Sequence, residues 1–88
     1  MAAPTDPQLV SILTAVQHAD DTDTLLDNDG IAEALGLSLD VVAEWLTAAK
    51  QRSLVWGIRG GHRPAPWYTD LEVTVQGRRF LAARSALP

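Results

Sequence analysis

Leu9, Ile12, Leu13 and Val16 are apolar positions among mostly polar neighbours, at the offsets of one stripe along an α-helix. Asp6-Pro7 before them reads as an N-cap followed by proline at the first helical position, where its missing N–H costs nothing. A first helix is therefore predicted to end near Ala19, with residues 1–5 as a flexible tail and residues 6–88 as one domain. Asp20–Asp29 is an acidic connector that contains Leu25-Leu26, either a short strand or a pin holding the loop to the core. A second helix carries Ile31 and Leu35 and stops at Gly36, which takes positive φ without a Cβ clash. Ser38 then caps a third helix with Leu39, Val42, Leu46 and Ala49 at helical spacing, Trp45 beside them, and Lys50 and Arg52 near its end, where cations suit the helix dipole.

After Ser53 the period changes to two. Leu54, Trp56 and Ile58 alternate with Val55, Gly57 and Arg59, and Trp67, Thr69, Leu71 and Val73 alternate with Tyr68, Asp70 and Glu72. Between them, Gly60-Gly61-His62-Arg63-Pro64-Ala65-Pro66 is incompatible with regular structure, so the two runs form a hairpin around a long loop. If Ile58 opposes Trp67, then Trp56 and Trp67 lie diagonally on one face. Thr74 caps a last helix with Gly77, Phe80 and Leu81, ending near Ala86. A two-stranded ribbon is not stable alone, so the helices must cover one of its faces. The fold class is α+β.

Two short helices joined through Gly36-Leu37 make a helix-turn-helix. Ile31–Ser38 as positioning helix and turn, Val42, Leu46 and Leu54-Val55 as recognition helix running into a hairpin, and Val73–Leu81 as closing motif together resemble the winged helix-turn-helix superfamily, in the manner of small bacterial transcription regulators. The resemblance covers about residues 6–86 and implies three helices, a two- to three-stranded β-hairpin wing and a C-terminal helix. In that superfamily the third helix enters the DNA major groove and the wing touches phosphate or the minor groove. The resemblance places Ser38, Leu39, Asp40, Ala43, Glu44 and Thr47 towards the groove, Lys50 and Arg52 at the helix end, Arg59, His62 and Arg63 on the wing, and Arg78, with Arg79, near the start of the last helix.

Charge sharpens this picture. Residues 1–40 hold eight acids and no Lys or Arg, whereas residues 41–88 hold three acids and all seven bases, a net +4 within a chain of net −4. A bipolar chain can offer nucleic acid a cationic face despite its overall sign. Asp40 and Glu44 on the groove side run against this, because base edges are read mainly by Arg, Lys, Asn and Gln. Two functions follow. One is a regulator that binds double-stranded DNA, possible as a homodimer. The other is a protein-interaction module on the same scaffold, its acidic helices imitating DNA charge and Trp45 and Trp67 contributing to the interface. Most tryptophans in a domain this small anchor the core, and Trp45, one residue off the Val42–Leu46 stripe, is the one expected to reach the surface.

Other chemistries find no support in the 88 residues. Cysteine is absent, which removes disulfides and most structural zinc sites. With Gly30 as the glycine of a calcium loop, Leu25 and Gly36 fall where ligands are required. His18 and His62 have no ligand partners at metal spacing, and no nucleophile–base set or phosphate-cradling loop is present, so neither enzyme, cofactor nor metal is expected. No apolar run approaches a membrane span and no secretory signal is visible, so the expected location is the cytoplasm.

Overall fold

The structure, a computed structural model, describes residues 7–60 and 66–85. The expectations for the tail, for the Asp6 cap and for His62 and Arg63 lie outside the described residues. The elements follow in the order α1 (Pro7–Asp21), α2 (Asn28–Leu35), α3 (Leu39–Gln51), β1 (Val55–Arg59), β2 (Tyr68–Val73) and α4 (Val75–Ser85).

The caps fix the helix boundaries. The Asp27 carboxylate accepts the Gly30 N–H at 2.8 Å at the start of α2, and Gly36 closes that helix at φ 68°. The Ser38 hydroxyl accepts the Val41 N–H at 3.2 Å and starts α3. Helix α1 runs two residues beyond Ala19, because backbone bonding continues past the end of the apolar stripe: the Thr22 N–H donates to the His18 carbonyl at 3.0 Å. In α3, Val42, Leu46 and Ala49 are buried, but Leu39, in the first turn, is 46% exposed.

Of the two alternatives for Leu25-Leu26, the structure shows the pin. Leu26 packs partly buried against the core and its carbonyl accepts the Leu71 N–H at 3.2 Å, while Leu25 is exposed. The sheet therefore has two strands among the described residues.

The hairpin corrects the expected strand faces. Val55 pairs with Val73 and Trp56 with Glu72, but beyond them Ile58 pairs with Thr69 and Arg59 with Tyr68. Asp70 and Leu71 thus stand opposite the single residue Gly57, a β-bulge. Asp70 takes the left-handed conformation, φ 55°, which short polar side chains tolerate better than bulky ones. The bulge changes the phase of β2, so Tyr68, Leu71 and Val73 all face inward. On β1 the inward residues are Val55 and Gly57, while Trp56 and Ile58 are 53% and 47% exposed. The larger side chains of β1 therefore point to solvent, and the inward side of Gly57 is filled by Leu71 of β2. A Cβ there would lie 2.6 Å from Leu71 Cδ2. Ile58 opposes Thr69, so the diagonal Trp56–Trp67 pairing that depended on Trp67 does not arise from this register.

Two adjoining clusters form the core. Ile12, Val16, Ile31, Val42, Leu46, Tyr68, Leu71 and Val73 make one, and Leu9, Leu13, Ala49, Leu54, Val55 and Leu81 the other. Trp45 packs against both, partly buried, with its indole N–H donating to Gln8 Oε1 at 3.0 Å. The expectation that Trp45 is the surface tryptophan is corrected: its ring closes the seam between the clusters, and Trp56 is the exposed one.

Candidate nucleic-acid interface

The outward face of α3 and the returning arm of the hairpin border one open groove of about 520 Å³, lined by Asp40, Ala43, Glu44, Thr47, Ala48, Gln51 and Pro66. Four of the expected groove residues are thereby brought together. Asp40 and Glu44 are exposed and Thr47 is half-buried. Ala43 departs from expectation: at 2% exposure it belongs to the underside of α3 and offers a ligand almost no surface. Ser38 is exposed, but its hydroxyl already serves as the α3 cap. An acid in the first turn of a helix is favoured by the dipole, which accounts for Asp40 without any ligand. Glu44, in the middle of the helix, has no such explanation.

The cations divide into groups. Lys50 reaches across to the hairpin, its ammonium 5.0 Å from the centre of the Tyr68 ring and 3.4 Å from the Gly57 carbonyl. Arg59 is exposed at the end of β1. Arg52, after α3, turns to α4, its guanidinium 5.2 Å from the centre of Phe80, over which Arg84 also lies at 3.8 Å. Arg78 is drawn to the end of α1, 3.7 Å from the Asp20 carboxylate and 3.4 Å from that of Asp21, and does not line the groove. Trp67 is partly buried, beside Gly60.

Residues that the periodicity did not single out hold the two sides of the groove together. Tyr68 is buried, and its hydroxyl is 3.1 Å from the Thr47 hydroxyl on α3. Asn28, at 2% exposure, is the buried polar side chain among the described residues: its Nδ2 donates to the Pro66 carbonyl at 3.0 Å and its Oδ1 accepts the Tyr68 N–H at 2.8 Å. A signal for Asn28 did exist in the sequence. Asp27 already caps α2, so a second capping-type residue beside it is redundant as a cap and free for another role.

With this geometry in place, the fold can be compared with known proteins. Protein-family models give no match, and neither do curated protein sequences. Solved structures do match. MepR, a transcription regulator of the Staphylococcus aureus multidrug efflux pump MepA, superposes with a TM-score of 0.68 at 19% identity over 91% of this chain and 55% of its own. The PcaV transcriptional regulator from Streptomyces coelicolor, solved with its natural ligand, gives 0.68 at 23% identity over 96% of this chain and 57% of its own. A MepR variant bound to an oligodeoxyribonucleotide gives 0.70 at 18% identity over 91% and 55%. The architecture is thus the winged helix-turn-helix, and the chain spans little more than half the length of these regulators.

Proposed function

We propose that this winged-helix domain binds duplex DNA as part of a transcriptional regulator, presenting α3 to the major groove and the hairpin to the flanking backbone. The observation that carries the reading is the shared groove: the exposed face of α3 and the returning arm of the wing border it together, while Lys50, at the end of α3, reaches the Gly57 carbonyl of the hairpin and the exposed Arg59 ends β1. The likeness to a regulator solved on an oligodeoxyribonucleotide supports it. Asp40 and Glu44 cannot contact phosphate favourably, so affinity in this reading comes from Lys50, Arg52, Arg59 and Arg63, and the acids act on base edges alone. A carboxylate accepts from the cytosine amino group. Arg78, occupied by Asp20 and Asp21, contributes less than the wing arginine. Among the described residues no helix is long and apolar enough to cross a membrane, and no group of three or more His, Cys, Asp or Glu side chains could hold a metal.

A titration of isotopically labelled protein with random-sequence duplex at low salt tests the proposal. Amide shifts at Thr47–Arg52 and at Arg59 are expected, with log K falling against log salt with a slope of roughly −3.6 if four phosphates are neutralised, and twice that if two copies share the site. Unperturbed amides at tens of micromolar duplex would defeat it.

A further inference from the structure

We infer that Asn28 and Tyr68 are positioning residues that set the angle between the wing and α3, and that this angle governs DNA affinity although neither side chain faces the groove; the second clause rests on the DNA-binding reading above. Pro66 has a carbonyl but no N–H, so it cannot complete a backbone ladder, and Tyr68 begins β2 with its N–H directed away from any strand. Asn28 meets both needs with one planar amide, donating 3.0 Å to Pro66 and accepting 2.8 Å from Tyr68. Only a side chain with a donor and an acceptor on one short stem can do this. Asp lacks the donor and would set a carboxylate against a carbonyl.

The second half of the clamp runs from Tyr68 to α3. Its hydroxyl meets Thr47 at 3.1 Å, and its ring lies under the Lys50 ammonium at 5.0 Å. Lys50 in turn reaches the Gly57 carbonyl on β1. The start of α2, the middle and end of α3, and both strands of the hairpin are therefore joined through two buried residues, Asn28 and Tyr68. A two-stranded ribbon has little rigidity of its own. Core packing of Val55, Leu71 and Val73 and the bonds of Leu71 to Leu26 and of Val73 to Asp20 hold its far end, and this cross-link holds the start of β2.

The test compares Asn28→Asp with the milder Tyr68→Phe, which keeps the ring in the core. Residual dipolar couplings of the α3, β1 and β2 amides are measured without DNA, and duplex affinity is measured by fluorescence anisotropy with the wing arginines present and in a background that lacks both, Arg59→Ala with Arg63→Ala. The positioning role requires the hairpin couplings to rotate relative to those of α3 in at least one variant. It also requires a loss of about fivefold to tenfold in affinity with the wing arginines present that shrinks below about twofold without them. Couplings that superimpose on the parent's in both variants would overturn the inference whatever the DNA result. Equal losses in the two backgrounds would also overturn it, because the effect would not then pass through the wing. Rotated couplings in a protein that binds no duplex would uphold the positioning role and remove the DNA reading instead.

Discussion

Gly77 in α4 lies against the carbonyl of Leu54: a Cβ built on Gly77 would sit 2.1 Å from that oxygen and 2.6 Å from Val73 Cγ1. The closeness follows from Thr74. Its hydroxyl donates to the Ser53 carbonyl at 2.6 Å and accepts the Gly77 N–H at 2.9 Å, while its own N–H donates to the Leu54 carbonyl at 3.1 Å. One residue thus caps α4 and staples it to the start of β1, leaving no room for a side chain three positions on.

Gly77→Ala is expected to destabilise more than any other single glycine-to-alanine change at a described position. The obstacle is backbone, which cannot swing away, so the cost should reach or exceed the upper end of the usual overpacking range, about 3 kcal/mol. Gly57→Ala meets the flexible end of Leu71 and should cost less, and Gly36→Ala has open space but a positive φ, worth about 1 kcal/mol. Denaturant midpoints for the three variants check the order; a Gly77→Ala protein as stable as Gly36→Ala would refute the close approach.

The apolar periodicity made the helices legible because each buries a stripe that the sequence displays, and Asp27, Gly36, Ser38 and Thr74 mark their ends by local chemistry. The faces of the hairpin were not legible for two reasons. The bulge at Asp70 breaks the period within β2, and the burial of Gly57 leaves Trp56 and Ile58 outside, reversing the usual equation of large with buried. The α3 side of the site was readable as a helix face, except that Ala43 and its neighbours differ by where the helix rests on the core. The clamp of Asn28, Tyr68 and Thr47 spans contacts about 20 to 40 residues apart in the chain, which no local pattern encodes.

Asp20 and Arg78 form an ion pair of unequal partners. Asp20 also accepts the Val73 N–H at 2.8 Å, and its side chain is 19% exposed against 42% for Arg78. Removing the arginine loses a solvated pair, about 0.2–1 kcal/mol. Removing the carboxylate also strips a part-buried backbone N–H of its acceptor, so Asp20→Ala should cost about 1.5–3 kcal/mol. Urea unfolding of both variants should therefore show the larger loss for Asp20→Ala. Equal losses would mean that the bond to Val73 contributes nothing.

Trp56 is half exposed on the outer face of the hairpin, whereas Trp45 and Trp67 are partly buried. Trp56→Phe is expected to leave stability within about 0.5 kcal/mol, as exposed substitutions do. It should also remove the red-shifted, readily quenched component of the tryptophan emission. Acrylamide quenching before and after the substitution measures this. A variant that unfolds, or whose quenching is unchanged, would place Trp56 inside the core.

Glu44 is the clearest test of whether the α3 face approaches DNA at all. It is exposed in the groove, lies mid-helix where the dipole gives it no benefit, and carries a charge of the same sign as phosphate. If α3 enters a major groove, Glu44→Gln removes a repulsion and should tighten binding to random duplex by about twofold to fivefold at low salt, an advantage that fades as salt screens it. Duplexes that place a cytosine amino group opposite Glu44 should respond in the other direction, because glutamine pairs better with adenine and forfeits the charge-assisted bond. Anisotropy titrations at two salt concentrations, on a random pool and on a pool selected by the parent protein, separate the two effects. Identical affinities for parent and Glu44→Gln on both pools would mean that this face stays away from the duplex and that binding, where it occurs, belongs to the wing alone.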